Sequence, residues 1–190
     1  KFEKRLENFI NQTFDYAIIA PDIPENMIDT ARVLTHKKIP YRGDPGQGVT
    51  DFTPSQCADF ISVNNELILN AFEFDTLSET TDLDKLNTLV VTNGKNETRW
   101  FGIDPGAEKP IPTKILKDPT GCGDAFRAGW VHARLSGASI RDSVRLGAVL
   151  ATINMESTGS QSHSIQNLGD RYLAAWKEHP QFLNGLRPTK

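Results

Sequence analysis

Short apolar runs alternate with helix-like segments along this chain, and that alternation constrains its fold more than any other feature. The predicted strands cover residues 16–20, 39–44, 67–69, 89–91 and 98–103, the last as the second strand of a hairpin. Helical patterns begin near Pro24, Thr53 and Ala71. Alternating strand and helix units are typical of α/β proteins. We therefore predict an α/β fold with a mostly parallel sheet and helices on both faces.

Several of the predicted helices have recognisable starts. Thr53 stands at the cap position, Pro54 at the first helical position and Gln56 three residues after the cap, which is the pattern of a capping box. Ser139 is expected to cap a later helix. The apolar faces expected of two helices are Met27, Ala31 and Leu34, and Ile140, Val144, Ala148 and Ala151. A last helix from Asp170, with Tyr172, Leu173 and Trp176, is expected to pack against the rest of the chain.

A glycine-rich turn at residues 118–126 precedes another predicted helix. Gly121 and Gly123 allow backbone conformations that are closed to residues with side chains. The turn can therefore point consecutive N–H groups outward, where the helix adds its positive N-terminal end. These features predict an anion site suited to a phosphate. The helix itself is expected to end at Gly137 and to bury one face, formed by Phe126, Trp130 and Ala133.

Asp124 follows these glycines directly, and a carboxylate among donors meant for an anion would repel that anion. One interpretation gives it a task beside the phosphate, which is to accept the proton of an attacking hydroxyl while the donors hold the phosphoryl group. The other interpretation places it in the first helical turn because acidic residues favour the helix dipole there. The Gly-x-Gly-Asp pattern alone leaves both interpretations open.

A longer pattern surrounds this turn. Residues 118–129 resemble the signature of the PfkB/ribokinase family of sugar and nucleoside kinases, especially its bacterial adenosine-kinase-like branch. The resemblance extends from about Tyr16 to His163. It implies a ribokinase-like fold and an ATP-dependent kinase for a hydroxyl of a sugar or nucleoside, with adenosine as the expected acceptor. It also implies that Asp124 is the catalytic base and that the backbone amides of Gly121, Cys122 and Gly123 form the anion hole.

Asn70 and Glu73 follow a predicted strand and match the Asn-x-x-Glu motif of the same family. On a first helical turn, an amide and a carboxylate three residues apart face the same way. Both could order water around Mg²⁺, which prefers oxygen ligands and keeps much of its hydration. An ordinary helix cap explains the same spacing, with Asn70 as the cap and Glu73 completing a capping box. The resemblance favours the Mg²⁺ interpretation.

Two further loops resemble nucleotide-binding segments of the family. Residues 44–48 read Asp-Pro-Gly-Gln-Gly, and the resemblance implies a place for Asp44 near the phosphates or their metal. An incidental acid in a Pro/Gly turn explains the same residues equally well. Thr92 and Gly94 match the Thr-x-Gly nucleotide loop, but family members usually carry another glycine two or three residues later, and this chain does not. The nucleotide-binding residues implied by the resemblance are Thr92, Gly94, Asp44 and Thr120.

Residues 159–163 resemble the Gly-Thr-Gln-Asn-His segment near the end of the same branch. His163 could assist a ligand or a monovalent-cation loop of this kind. The simpler interpretation, which we favour, is a histidine that packs within a loop or lies on the surface. The other three histidines show no spacing typical of a zinc site.

Composition sets limits on the partners of this chain. Its 190 residues suit one domain with a substantial core, and they are 38% hydrophobic and 24% charged. A net charge of −3 without a block of Lys or Arg argues against a nucleic-acid binder. No apolar run approaches the length of a membrane span, and no secretory signal is visible. Cys57 and Cys122 give no disulfide framework, which favours the cytoplasm.

The resemblance covers only part of the length of the family. Family members carry an upstream segment with a second glycine signature, a small lid sheet and most of the substrate-binding residues, whereas Lys1 opens on a helical pattern of Phe2, Leu6 and Phe9. We therefore expect residues 1–190 to be the nucleotide-side part of a ribokinase-like domain. We also expect the chain alone to bind ATP or ADP weakly and not to phosphorylate nucleosides.

Three other functions compete with this prediction. A sugar kinase for a ribose- or fructose-type acceptor would carry the same motifs. A nucleotide-binding module without catalysis would need only the loops described above. An NAD-dependent oxidoreductase would need Gly-x-Gly-x-x-Gly after the first strand, where this chain has Pro21-Asp22-Ile23-Pro24, so the oxidoreductase is the weakest alternative.

Overall fold

The computed structural model describes residues 14–186, so the helical pattern predicted at Phe2, Leu6 and Phe9 lies outside the described residues. The described chain forms two compact units. One comprises residues 14–93 and 99–105, and the other comprises residues 94–98 and 106–186. Among the described helices, none combines the length and the apolar character that a membrane crossing requires.

A mostly parallel sheet organises the strands in the order of the chain. Its first four strands are β1 (Ala17–Ile19), β2 (Tyr41–Gly43), β3 (Glu66–Asn70) and β4 (Thr88–Thr92), and each runs parallel to the next. The hairpin expected after β4 is present, because β5 (Thr98–Gly102) pairs with β4 in antiparallel register. A short strand, β6 (Gly106–Glu108), follows. The predicted α/β fold with a mostly parallel sheet is confirmed.

Helices fill the segments between and after these strands. They are α1 (Pro24–His36), α2 (Pro54–Val63), α3 (Ala71–Ser78), α4 (Cys122–Leu135), α5 (Ile140–Met155) and α6 (Leu168–Trp176). Three 3₁₀ segments cover Gly46–Asp51, Leu83–Lys85 and Gln181–Leu186.

Local signals in the sequence set the starts of several helices. The N–H of Gln56 donates to Oγ1 of Thr53 at 3.3 Å, and the N–H of Thr53 donates to Oε1 of Gln56 at 2.9 Å, which completes the predicted capping box of α2. Ser139 caps α5 by accepting from the N–H of Asp142 at 3.1 Å. Pro24 occupies the first turn of α1, where its missing N–H costs no hydrogen bond.

Both faces of the central strands in the first unit are buried. Leu67, Leu69 and Leu89 join a core that is built with residues of α1, α2 and α3. Ile68 and Val90 point to the opposite face, and they are 2% and 0% exposed. Burial on both faces is what a parallel sheet covered on its two sides requires.

In the second unit, α4 and α5 approach each other unusually closely. A Cβ on Gly129 would lie 2.9 Å from Cα of Gly147, and a Cβ on Gly147 would lie 2.8 Å from the carbonyl oxygen of Phe126. Both distances are shorter than real Cβ contacts. The absence of side chains at these two glycines therefore fixes the position of α4, and with it the turn that precedes α4.

The last helix differs from the prediction in one detail. It begins at Leu168 rather than at Asp170. Tyr172 is fully buried and its ring lies 4.7 Å from that of Trp176, as expected of two residues four apart on one helical face. The expectation that Leu173 packs beside them was wrong, because it is exposed; a residue next to Tyr172 in sequence lies on a different side of the helix.

We expect Gly129→Ala to destabilise the protein by about 1–3 kcal/mol, because the added methyl group overpacks the contact between α4 and α5. Gly169→Ala is the matched control: this glycine also lies in a helix of the second unit, and its Cβ would meet nothing nearer than Nε2 of His179 at 3.9 Å. That control should be neutral or stabilising by up to about 1 kcal/mol. Denaturant unfolding measures both variants, and equal effects would contradict the packing argument.

Candidate active site

The residues that the sequence nominates for function lie in both compact units. The first unit contains Asp44, Asn70, Glu73 and Thr92, and the second contains Gly94, Thr120, Gly121, Cys122, Gly123 and Asp124. Within each unit, short contacts place some of these residues together.

In the first unit, the candidates stand at the carboxyl ends of neighbouring parallel strands. Asn70 and Thr92 are the last residues of β3 and β4 and are register partners. Asp44 directly follows β2. In open α/β sheets, ligands bind outside this edge, so the topology supports the sequence-based choice of these loops.

Asn70 and Glu73 form a reciprocal capping box at the start of α3. The N–H of Glu73 donates to Oδ1 of Asn70 at 2.9 Å, while the N–H and Nδ2 of Asn70 donate to the two carboxylate oxygens of Glu73, each at 2.8 Å. Glu73 is only 2% exposed. The helix-cap interpretation is therefore realised, and ordering of Mg²⁺ hydration by the same pair stays a prediction. Within the described ranges, no cluster of three or more His, Cys, Asp or Glu side chains could hold a metal directly.

Asp44 is held inside the first unit. Its side chain is buried, and its N–H donates to the carbonyl oxygen of Ile19 at 2.9 Å. The next turn is tightly packed as well, because Gly46 has a φ of +53° and a Cβ there would lie 2.6 Å from Cγ of Pro21. The loop is thus fixed against the end of β1, and its predicted place beside the phosphates stays a prediction.

Thr92 and Gly94 differ in how firmly they are held. Oγ1 of Thr92 donates to the carbonyl oxygen of Leu69 at 3.3 Å, so this hydroxyl links the ends of β4 and β3. Gly94 has a φ of +54°, yet no atom lies within 4 Å of the position a Cβ would take. The positive φ at this position therefore favours a glycine, and the space beside Gly94 is open.

Gly121 shapes the glycine-rich turn for two separate reasons. Its φ is +79°, a left-handed conformation that favours glycine, and it stands at the N-cap of α4. A Cβ at this position would also lie 2.6 Å from Cβ of Ser160. The turn and the segment 159–163 are therefore in direct contact, as two motifs of one site would be.

The first N–H groups of α4 have different roles. The N–H of Cys122 donates to the carbonyl oxygen of Pro119 at 3.2 Å, and the N–H of Ala125 begins the helical ladder by donating to Gly121 at 2.9 Å. Within the described part of the chain, the N–H groups of Gly123 and Asp124 donate to no backbone carbonyl outside α4. Initial helical N–H groups without an internal acceptor favour an anion.

Asp124 projects from this turn into solvent. Its carboxylate is 85% exposed, and the nearest guanidinium nitrogen, Nη1 of Arg127, is 4.0 Å away. A Cβ on Gly123 would lie 2.7 Å from the same Nη1, so the guanidinium passes directly over this glycine. Arg127 therefore adds positive charge beside the candidate anion site. The sequence analysis did not name this residue, although its spacing of three residues from Asp124 could have indicated that the two side chains are neighbours.

Asp118 ties the turn to the later loop. Its two carboxylate oxygens accept separately from the N–H of Thr120 at 2.9 Å and from the N–H of Gly159 at 3.0 Å. These bonds, the one from the Thr120 backbone first, lower the pKa of the Asp118 carboxyl below its ordinary value of 3.8. The ionised form therefore holds residues 41 positions apart in contact.

His163 lies at the end of that loop and is half-buried. Its Nδ1 is buried without a hydrogen-bond partner among the described residues. The hydroxyl of the preceding residue, Ser162, donates to the carbonyl oxygen of Thr158 and so closes the loop on itself. This arrangement fits a loop-packing histidine, and a role with a ligand or cation stays a prediction.

An apolar surface beside the turn was not predicted from the sequence. Ile115 and Leu116 are each 64% exposed. The segment that carries them is fixed to the end of α5, because the N–H groups of Lys117 and Asp118 both donate to the carbonyl oxygen of Met155, at 2.9 and 3.2 Å. Two exposed aliphatic side chains held beside an anion site suit a ligand with both an apolar and an anionic part.

We expect Asp118→Asn to weaken the folded state at neutral pH, because an amide NH₂ would face one of the two N–H donors. The stabilisation from a carboxyl with a lowered pKa is present above its unfolded pKa and is lost as the pH falls through the folded pKa. The difference in unfolding free energy between wild type and Asp118→Asn should therefore shrink below about pH 4. Urea unfolding across pH measures it.

Asp170→Asn, at an exposed carboxylate on α6, is the control and should change stability little at any pH. A constant difference between wild type and Asp118→Asn down to the lowest pH would contradict the assignment.

Comparison with known proteins identifies relatives of the chain. The model of the pfkB family of carbohydrate kinases matches residues 11–167. The nucleoside kinase of Methanocaldococcus jannaschii is 29% identical over 127 residues, 63% of this chain and 42% of that protein. The nucleoside kinase of Methanothermobacter thermautotrophicus is 29% identical over 147 residues, 72% of this chain and 47% of that protein. The chain thus spans less than half the length of these relatives.

Solved structures show the same fold. The Burkholderia thailandensis nucleoside kinase in complex with inosine superposes with a TM-score of 0.83 at 22% identity, over 94% of this chain and 64% of that one. The same enzyme in complex with ADP-inosine gives a TM-score of 0.82 at 21% identity, over 94% of this chain and 60% of that one. At this identity the likeness establishes the ribokinase-like fold.

Proposed function

Because the chain belongs to the pfkB family of carbohydrate kinases, we propose that the protein transfers the γ-phosphoryl group of ATP to a hydroxyl group of a nucleoside or sugar. The observation that carries this proposal is the turn at Gly121. It combines a left-handed glycine, N–H groups of Gly123 and Asp124 for which the described backbone offers no acceptor, and an exposed carboxylate. Phosphoryl transfer needs an anion cradle and a base side by side, and this turn offers both.

Asp124 is assigned as the general base. The acceptor oxygen attacks the γ-phosphorus and forms a new P–O bond, while the bond from that phosphorus to the bridging oxygen of ADP breaks. The hydroxyl proton passes to the Asp124 carboxylate. High exposure of this carboxylate supports the role, because a base must be reachable by the acceptor.

The cradle for the transferring group comes from the backbone of the turn. We assign the N–H groups of Gly121 and Gly123, with that of Asp124, to stabilise the negative charge that develops on the phosphoryl group, and the guanidinium of Arg127 adds to them from above Gly123. The N–H of Cys122, also predicted for the anion hole, donates to the carbonyl oxygen of Pro119 in this structure. These donors are already fixed by folding, so little reorganisation is needed when charge develops. Most of the rate enhancement would then come from positioning and electrostatics.

Asn70 and Glu73 are assigned to the hydration shell of Mg²⁺. Their oxygens are the right ligand type, and mutual hydrogen bonds fix their directions. The small exposure of Glu73 fits contact through water better than direct ligation. When bound, Mg²⁺ would neutralise phosphate charge. Holding the ordered water in place is the contribution of this pair.

The remaining assignments concern the nucleotide. Thr92 and Gly94 at the end of β4, together with Asp44 and Thr120, are proposed to contact ATP. Ile115 and Leu116 supply exposed apolar surface that suits the flat face of a base.

A nucleoside is favoured as the acceptor because the relatives named above are nucleoside kinases. Adenosine is the specific choice, from the resemblance of residues 118–129 to the adenosine-kinase-like branch. A ribose- or fructose-type sugar is the alternative acceptor. The chain also fits a nucleotide-binding module without catalysis, which would bind ATP and transfer nothing.

We expect Asp124→Asn in the whole protein to lower kcat by about 10²–10⁴-fold, as for a lost general base, with little change in ATP affinity. Asp170→Asn is the matched control, since this residue is also an exposed acid in the first turn of a helix. Radiolabelled phosphate transfer to adenosine and to ribose, beside calorimetry with Mg-ATP, measures both properties. Near wild-type turnover in Asp124→Asn would contradict the assignment of Asp124 as the base. If the wild-type protein binds ATP but transfers no phosphate, the non-catalytic module is favoured instead.

We expect Glu73→Gln to raise the Mg²⁺ concentration needed for half-maximal rate, because a neutral amide holds the metal's water less strongly. Thr53→Ala is the control, since it removes a cap of the same kind from α2. That control should cost about 1 kcal/mol of stability and leave the Mg²⁺ dependence unchanged. If Glu73→Gln behaves like Thr53→Ala, the pair is only a helix cap.

A further inference from the structure

Asn154 is a buried amide that the proposed function does not use. It lies near the end of α5 and is 0% exposed. Its Nδ2 donates to the carbonyl oxygen of Thr120 at 2.8 Å, across 34 positions of the sequence. Its Oδ1 is also buried, and no hydrogen-bond partner for it exists among the described residues.

An apolar side chain of the same size would fill this space without leaving an acceptor unsatisfied. A buried polar atom without a partner costs free energy, so Asn154 is a poor choice for packing alone. What the amide adds is the bond to Thr120. The function of Asn154 therefore depends on what its hydrogen bond to Thr120 holds in place.

The bond fixes one peptide plane of the glycine-rich turn. The carbonyl of Thr120 and the N–H of Gly121 belong to the same planar trans peptide, so they point in opposite directions. Holding the carbonyl toward α5 directs the N–H of Gly121 away from α5. Gly121 is one of the amides expected to form the anion hole.

This peptide needs an external restraint. Gly121 has a φ of +79°, and glycine reaches neighbouring backbone conformations at little cost, so its own sequence does not lock the plane. On the preceding side, the N–H of Thr120 is held by Oδ1 of Asp118 at 2.9 Å. Asn154 supplies the second restraint, on the carbonyl.

We propose that Asn154 is a positioning residue that orients the Thr120–Gly121 peptide, so that the N–H of Gly121 points at the phosphoryl group in transfer. This inference rests on the proposed function. The buried side chain of Asn154 on α5 would thus align the N–H of Gly121, a donor on another segment of the chain. A misaligned donor loses part of the stabilisation that a complete oxyanion donor provides.

The first variant is Asn154→Leu, which removes both the donor and the unsatisfied acceptor. We expect only a small change in melting temperature, because removal of the unsatisfied acceptor offsets the donor that the carbonyl of Thr120 loses and the larger size of leucine. We expect kcat to fall about 10- to 100-fold, less than the 10²–10³ for loss of a complete oxyanion donor, with little change in the Kd for ADP. A purely structural residue would show the reverse, with lost stability and unchanged kcat.

Thr152→Val is the matched control. Thr152 is buried on the same helix, and its Oγ1 donates to the backbone carbonyl of Ala148 at 2.8 Å, a bond of the same kind that stays within α5. Its kcat should equal that of wild type. A loss in Thr152→Val as large as in Asn154→Leu would overturn the proposal.

A second variant, Asn154→Asp, changes the donor without changing the shape. Its protonated carboxyl can donate to Thr120, whereas its carboxylate cannot, so activity relative to wild type should fall as the pH rises. If the activity of Asn154→Asp relative to wild type is constant with pH, and the kcat of Asn154→Leu is unchanged, the assignment is overturned.

The orientation itself can be read without any activity. The ¹⁵N–¹H resonance and the amide hydrogen exchange of Gly121 should change in Asn154→Leu and not in Thr152→Val. If wild type transfers no phosphate but the Gly121 amide responds in this way, the proposed function fails, and only the orientation of the Thr120–Gly121 peptide by Asn154 stands. If wild type is active and the amide does not respond, the positioning role fails alone.

Discussion

The close contact of α4 and α5 at Gly129 and Gly147 is the constraint on which the second unit depends. Backbone meets backbone there, because a Cβ on either glycine would come within 3 Å of the opposing helix. Contacts this short leave little freedom for the helices to slide. The start of α4 and the end of α5 are thereby held at a fixed separation, and the glycine-rich turn is built between them.

Two polar side chains, one in the turn and one on α5, then hold a turn that glycine alone would leave mobile. Asp118 accepts from Thr120 and Gly159, and Asn154 donates to Thr120. A carboxylate beside an anion site is unfavourable in itself. Here the charge of Asp118 is compensated by two backbone donors, which also lower its pKa. Asp124 instead projects into solvent, with its carboxylate 85% exposed.

In the first unit, the observed helix cap and the proposed Mg²⁺ role involve the same atoms. The Asn70–Glu73 pair caps α3 through three hydrogen bonds of 2.8–2.9 Å. A capping box fixes the direction of both side chains, and a group that orders water around a metal needs fixed directions as well. The cap and the proposed hydration of Mg²⁺ are therefore compatible, since the first supplies the rigidity that the second requires.

The sequence by itself determined the features that depend on near neighbours. The alternation of strands and helices, the capping box at Thr53 and the helix that follows the glycine-rich turn were all predicted, because periodicity and caps act within a few residues. Only the tertiary structure decided which distant residues meet. Asn154 lies 34 positions from its partner Thr120, and the pairing of Gly129 with Gly147 depends on two helices packing face to face. No local pattern encodes such contacts, since they arise when separate elements are packed into one core.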